Sequence, residues 1–154
     1  MKFPERYFED FQVGDHFETA PFGLSEKESM AFAHLYDPQP FHLDADAAAA
    51  SVFRELTASG WHTAAITMRL LVESGVLRAT GIIGTGIDDL RWLAPVHPGD
   101  ELRVRAVVVE KAPWPGSATR GTMRVRLQTL NQDDVVVMSQ IANLMVTLRP
   151  RAPH

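Results

Sequence analysis

Cysteine is absent from the 154-residue chain, which excludes disulfide bonds, thiolate nucleophiles and metal sites with cysteine ligands. Basic residues are also few: the chain has 15 Lys and Arg but 19 Asp and Glu, so its net charge is −4. A chain without a basic excess has little with which to contact a phosphate backbone. We therefore expect no nucleic-acid partner.

Long apolar runs are missing as well. No window approaches the roughly 18 uncharged apolar residues of a membrane helix. The first six residues include Glu5 and Arg6, where a secretory signal would need an apolar run. These absences predict a cytoplasmic protein with no membrane partner.

The remaining composition is that of an ordinary globular protein, with 45% hydrophobic and 22% charged residues. A chain near 150 residues buries roughly 70% of the surface that its unfolded form exposes, which is enough for a sizeable core. Length and composition together predict one domain that spans residues 1–154.

Two local signals predict the first helix and its end. Ser25 followed three residues later by Glu28 has the pattern of a capping box, so a helix should begin there. It should stop near Asp37, because Pro38 disfavours helical backbone in the residue before it. We expect Pro40 to keep the next few residues out of a helix too.

Two further helices are predicted before the middle of the chain. Asp44 can cap a short alanine-rich helix over residues 45–53. A longer helix should span residues 60–77, with Ser59 or Thr57 as its cap. Its apolar residues form two adjacent stripes, which is typical of a helix buried on most sides.

The second half of the chain changes to a period of two, which predicts strands joined by short turns. Gly81, Gly84 and Gly86 do not follow a strand into a helix, so we interpret them as a loop. Helices first and strands later indicate an α+β fold. The expected architecture is a curved antiparallel sheet around the helix of residues 60–77, with extended segments near residues 16–20, 90–92, 102–108, 123–127 and 135–148.

The densest group of chemically capable residues is Asp37-Pro38-Gln39-Pro40-Phe41-His42. A carboxylate and an imidazole held on a turn stiffened by two prolines can share a water molecule. Spacing alone favours the simpler interpretation, in which Asp37 caps a helix end or turn and His42 bonds to the backbone.

This segment resembles the hydratase motif of the MaoC-like dehydratases, the family of (R)-specific enoyl-CoA hydratases. The family pattern is Asp, any residue, Asn, Pro, an apolar residue and His, and here Gln39 replaces the Asn between Asp37 and His42. The segments 58–63 and 88–100 resemble the family's entry into its central helix and the strands that follow. The resemblance covers roughly residues 8–148 and implies the hot-dog fold.

By that resemblance, Asp37 and His42 are the catalytic pair for reversible hydration of a trans-2-enoyl thioester on CoA or a carrier protein. The backbone N–H of Gly60 would bind the thioester oxygen, and a glycine would let the thioester approach closely. Thr67 stands near the position where some family members have a serine hydroxyl. The substrate would contact four further residues: Gln39, His62, Thr67 and Met68.

The resemblance also implies a homodimer, in which two sheets join at their edges. The apolar run of residues 135–138 could supply part of that surface. No cofactor is implied. His34, Asp37, His42 and His62 lack the spacing of a helical metal site, so we predict no metal.

Three alternatives stay open at this stage. His62 could be a packing residue beside an aromatic ring rather than a substrate contact. The protein could be a thioester hydrolase, for which Glu73 is the one acidic residue in the long helix. The change to Gln39 also leaves room for a non-catalytic acyl-binding module.

Overall fold

The computed structural model describes residues 5–151 of the chain. A short 3-10 helix at Phe8–Asp10 precedes the first strand. The four α-helices are α1 (Glu26–Tyr36), α2 (Pro40–Leu43), α3 (Ala45–Ala49) and α4 (Gly60–Ser74). The six strands are β1 (His16–Glu18), β2 (Phe22–Gly23), β3 (Ile83–Trp92), β4 (Glu101–Pro113), β5 (Arg120–Leu130) and β6 (Val136–Thr147).

Polar side chains begin three of the helices at the predicted positions. Ser25 caps α1, Asp44 caps α3 and Ser59 caps α4, each by accepting a hydrogen bond from a backbone N–H in the first turn. Such caps satisfy donors that have no partner inside the helix. The predicted helix starts are therefore confirmed.

The prediction that Pro40 keeps the following residues out of a helix is wrong. Pro40 is the first residue of α2, where a fixed φ is favourable and the missing N–H costs nothing because that donor would be unpaired anyway. The α2 turn carries His42 into a buried position. The next helix, α3, ends at Ala49 rather than at residue 53.

The long helix α4 is shorter and less enclosed than the sequence predicts. It ends at Ser74 because Gly75 takes a left-handed conformation, with φ of 75°, that terminates the helix. Trp61 and Val72 on its outer side are 56% and 58% exposed. The prediction of a helix buried on most sides is therefore wrong for the single chain, whose sheet covers only one face of α4.

The sheet is antiparallel, with strand order β1-β4-β5-β6-β3, and β2 pairs with β4 off this path. The predicted glycine loop is correct for Gly81, which precedes β3. It is wrong for Gly84 and Gly86, which belong to β3 and pair with Leu144 and Asn143 of β6. A register shift between the two glycines marks a bulge. Strand pairing here outweighs the low intrinsic preference of glycine for strands.

The core lies between α4 and the inner face of the sheet. Ile66, Leu70 and Leu71 of α4 pack in one cluster with the alternating buried residues of β4, β5 and β6. This arrangement confirms the predicted α+β hot-dog fold. Among the described residues, no helix is long and apolar enough to cross a membrane.

The expectation that residues 135–138 contribute to an edge surface is wrong. Strand β6 lies in the interior of the sheet, between β5 and β3. Val137 and Met138 are consequently buried. The apolar run is continuous because this strand is covered, and the edges of the sheet are the short strand β1 and the long strand β3.

Candidate active site

The connection between α1 and α2 is a rigid turn that carries the two residues of the motif. Asp37 ends α1, and its N–H donates to Ala33 O at 2.8 Å. The Gln39 N–H donates to Asp37 O at 2.8 Å, and the His42 N–H donates to Gln39 O at 3.0 Å. Successive backbone bonds and two prolines thus fix the relative positions of the carboxylate and the imidazole.

The Asp37 and His42 side chains face one another inside a cleft. His42 Nε2 lies 3.3 Å from Asp37 Oδ2, with the imidazole 7% and the carboxylate 16% exposed. On the far side of the ring, His42 Nδ1 lies 2.7 Å from the Thr57 carbonyl oxygen. A carbonyl can only accept, so Nδ1 carries a proton, and in the tautomer with that single proton Nε2 is free to accept a hydrogen bond from the cleft.

Two more donors hold the Asp37 carboxylate. Ser59 Oγ donates to Asp37 Oδ2 at 2.6 Å, and the Gln39 side-chain amide donates to Asp37 Oδ1 at 2.6 Å. Burial raises the pKa of Asp37, but the hydrogen bonds from Ser59 and Gln39 together with His42 lower the pKa by more than burial raises it. The pKa of Asp37 therefore lies below its ordinary value. Asp37 is therefore a carboxylate that stays ionised at neutral pH.

The start of α4 presents one unused backbone donor to the same cleft. The Trp61 N–H donates to Ser59 Oγ, and the His62 and Thr63 N–H groups donate to Ser59 O. Within residues 5–151 no group accepts from the Gly60 N–H, and Gly60 lines the cleft. A free N–H at a helix N-terminus favours negative charge.

Trp92 explains why residue 60 is a glycine. The Trp92 indole Nε1 donates to Gly60 O at 2.8 Å. A Cβ on residue 60 would lie only 2.5 Å from that nitrogen. The space beside the Gly60 Cα is therefore filled by Trp92, which replaces the sequence-based explanation that a glycine is needed for close approach of a thioester.

Two cavities meet at Trp61. The first is the cleft of the motif, and its walls include Asp37, His42 and Gly60. The second is an apolar cavity between α4, β3 and the inner face of the sheet. Trp61 lines both cavities and contacts Trp92 edge-on, with 4.9 Å between ring centroids.

The remaining predicted substrate contacts are divided between several places. Gln39 lines the cleft of the motif, whereas Thr67 and Met68 line the apolar cavity. The Thr67 hydroxyl is already engaged, at 2.9 Å from Thr63 O and 2.6 Å from Thr129 Oγ1. It is therefore poorly placed to act as a substrate hydrogen-bonding group.

His62 does not line either cavity. Its ring stacks on Phe32 with 4.4 Å between centroids and 3° between planes. Burial lowers the pKa of His62, against an opposing effect of Glu28. The structure thus places this residue in an aromatic packing contact behind the site.

Glu73 also lies outside both cavities. It is half-exposed on α4 and forms an ion pair with Arg69 at 2.8 Å. An acid in this position cannot reach a thioester held at the Gly60 end of the helix. No group of three or more His, Asp or Glu residues within the described range 5–151 is arranged to hold a metal ion.

Residues 10–130 match the family described as MaoC like domain. The chain belongs to this family. A curated relative, uncharacterized protein YdeM from Bacillus subtilis, is 32% identical over 138 residues, which are 90% of this chain and 96% of YdeM.

Solved structures agree with this assignment. The MaoC-like dehydratase from Rhodospirillum rubrum matches with a TM-score of 0.91 at 46% identity, covering 95% of this chain and 99% of that one. R-hydratase PhaJ1 from Pseudomonas aeruginosa matches with a TM-score of 0.72 at 28% identity, covering 96% of this chain and 94% of that one. The fold of this MaoC-like domain is therefore shared with these structures over nearly its whole length.

Sequence reasoning missed three residues of this MaoC-like site. Ser59 was expected only as a helix cap, but it also binds Asp37, and Thr57 was not expected to orient His42. Gln140 is the third, a polar residue at an inward-facing position of β6. A polar residue in the same phase as the apolar Ala142 and Leu144 was a readable signal, whereas the Ser59 and Thr57 contacts depend on tertiary folding.

Proposed function

We propose that this MaoC-like protein is a hydratase that adds water reversibly to a trans-2-enoyl thioester carried by CoA or a carrier protein. The observation that carries the proposal is the buried pair of Asp37 and His42, in which Oδ2 of an ionised carboxylate lies 3.3 Å from the imidazole Nε2. With the ring proton on Nδ1, both atoms are acceptors, and each can take one hydrogen of a bound water molecule. The water oxygen then keeps its lone pairs for attack.

The reaction follows from this placement of a water molecule between Asp37 and His42. The water oxygen bonds to the β-carbon of the enoyl group while one water proton passes to His42 Nε2. The ionised Asp37 stabilises the imidazolium. His42 then returns the proton to the α-carbon, so that hydroxyl and hydrogen have been added across the double bond. The reverse sequence is dehydration.

A negative charge develops on the thioester oxygen as the β-carbon is attacked. The Gly60 N–H is the donor best placed to receive it, because the other first-turn N–H groups of α4 are already bonded to Ser59. Donors of this kind contribute roughly 10²–10³ to turnover. The rigid contact with Trp92 holds this backbone segment in place.

The substrate would occupy both cavities. The thioester lies in the cleft beside Asp37 and His42, and the acyl chain passes Trp61 into the apolar cavity between α4 and the sheet. Apolar walls suit an acyl chain. A hydrolase is not favoured, because Glu73 pairs with Arg69 on the other side of α4.

We further propose that the protein is a homodimer joined at β3. This strand is the long edge of the sheet, and it carries the exposed residues Ile83 and Ile87. The exposed Trp61 and Val72 of α4 add to the apolar surface. Open edges and large apolar patches are typical of interfaces.

Crotonyl-CoA distinguishes the candidate functions in one reaction. Enoyl absorbance and free thiol are followed together after the protein is added. A hydratase lowers the absorbance without releasing thiol, a hydrolase releases thiol, and a non-catalytic acyl-binding module does neither. Loss of absorbance without thiol is the expected result, and either other outcome contradicts the proposal.

A further inference from the structure

One polar side chain faces the apolar cavity from the sheet. Gln140 lies on β6 and alternates with the buried residues Ala142 and Leu144, and all three line the cavity. Its cross-strand partner Leu127 lines the cavity as well. Gln140 itself is only 6% exposed.

The Gln140 amide has no hydrogen-bond partner among the described residues. The amide is also not completely buried. Among the described residues, three side-chain atoms are completely buried without a hydrogen-bond partner, and none belongs to Gln140: Ser29 Oγ, His62 Nδ1 and Arg124 Nε. Leaving a buried amide unpaired costs stability. The backbone of Gln140 also borders a polar pocket on the outer face of the sheet, but its place in the alternation directs the side chain inward, beside Ala142 and Leu144. An unpaired amide that faces the apolar cavity is available to a ligand there.

The cavity walls hold two other polar side chains, Thr67 and Trp61. The Thr67 hydroxyl is bonded to Thr63 O and Thr129 Oγ1, and Trp61, which is 56% exposed at the mouth of the cavity, can only donate through its indole N–H. No charged side chain lines the cavity. Gln140 is therefore the buried side chain in these walls that can both donate to and accept from a polar ligand group.

We infer that the acyl chain bound in this cavity carries an uncharged oxygen group, a hydroxyl or a carbonyl, which hydrogen-bonds to the Gln140 amide. The inference rests on the proposed acyl-thioester function and narrows its substrate class. An amide can donate to a carbonyl and can both donate to and accept from a hydroxyl. A carboxylate on the chain is disfavoured, because it would be buried with no cation to pair with it.

Binding of unreactive saturated thioesters tests the inference without turnover. Calorimetry compares octanoyl-CoA with octanoyl-CoA bearing one hydroxyl at carbon 5, 6, 7 or 8. We expect the wild type to bind at least one hydroxylated chain about tenfold or more tighter than the plain chain, since an unpaired amide would otherwise stay buried. Gln140→Leu should abolish that preference, whereas Gln128→Leu, which changes an amide on the outer face of β5, should retain it.

The stability of the free protein gives a second readout. Gln140→Leu replaces an unpaired buried amide with an apolar group of similar size, so its melting temperature should equal or exceed that of the wild type. A lower melting temperature would show that the amide is paired within the protein and would overturn the inference.

Equal binding of all chains by the wild type would also overturn it, as would a preference that survives Gln140→Leu or a failure to bind any of the chains. Crotonyl-CoA is too short to place an oxygen group near Gln140, and it reports separately on the proposed function. Hydration of crotonyl-CoA without a hydroxyl preference would therefore contradict only this inference.

Discussion

At the residue scale, Ser59 links the stability of α4 to the state of Asp37. Its hydroxyl donates to Asp37 Oδ2 and accepts from the Trp61 N–H, so one side chain serves as helix cap and as carboxylate partner. The two roles can be separated with a second capping serine. Ser25 caps α1 in the same way but does not contact the cleft.

We expect Ser59→Ala to lower the free energy of unfolding by about 1 kcal/mol, the usual cost of losing a cap. It should also lower turnover by between about 10- and 100-fold, because the carboxylate loses a positioning bond. Ser25→Ala should lose similar stability and keep its turnover. Denaturant unfolding and initial rates measure both quantities. Equal turnover in the two variants would show that Ser59 acts only as a cap.

The Asp37 carboxylate predicts a particular dependence of stability on pH. Its pKa in the folded protein lies below the ordinary value of 3.8, so its stabilising contribution is present above that value and is lost as pH falls through the folded pKa. Asp37→Asn cannot titrate. The difference in unfolding free energy between wild type and variant should therefore be largest above about pH 4 and shrink at lower pH. A difference that does not change with pH would contradict this assignment.

At the element scale, the start of α4 and the end of β3 are fitted together by Gly60 and Trp92. Gly60→Ala would place a methyl group 2.5 Å from Trp92 Nε1, so one of the two elements has to shift. We expect a loss of stability of about 1–3 kcal/mol, the usual range for overpacking. Trp92→Ala empties that space. In its background Gly60→Ala should therefore cost much less, as a double-mutant cycle by denaturant unfolding would measure.

Independent costs for the two changes would mean that the glycine is required for some other reason. In that case the unpaired Gly60 N–H would be the remaining feature of this segment that calls for an explanation.

The sequence predicts the elements that local residues determine and mispredicts those that depend on long-range contacts. The starts of α1, α3 and α4 are predicted well, because a capping side chain such as Ser25 or Asp44 determines each one, whereas α2 has no side-chain cap and is missed. The glycine segment is mispredicted, because pairing with β6 makes Gly84 and Gly86 part of a strand. Within the site, Asp37 and His42 are found as a compact motif. Ser59 bonds to Asp37 from 22 positions away and becomes visible only in the folded chain.

At the scale of the whole molecule, the open β3 edge and the uncovered side of α4 predict association. Light scattering at micromolar concentration should give twice the chain mass of 17.1 kDa. A lysine on an edge strand opposes pairing, so Ile83→Lys should shift the protein towards monomer. The control Val13→Lys adds the same charge at an exposed valine outside β3 and should leave the mass unchanged. A wild-type monomer, or an Ile83→Lys variant that stays dimeric, would contradict the β3 interface.

The central claim is that a water molecule held between Asp37 and His42 is added to the β-carbon of an enoyl thioester. Incubation with crotonyl-CoA in ¹⁸O-water, followed by mass spectrometry of the thioester, tests it most directly. The wild type should form 3-hydroxybutyryl-CoA with ¹⁸O in the hydroxyl group, and Asp37→Asn and His42→Gln should each form it at least about 100-fold more slowly. Label found in a free carboxylate, no labelled product, or undiminished rates in both variants would contradict the account.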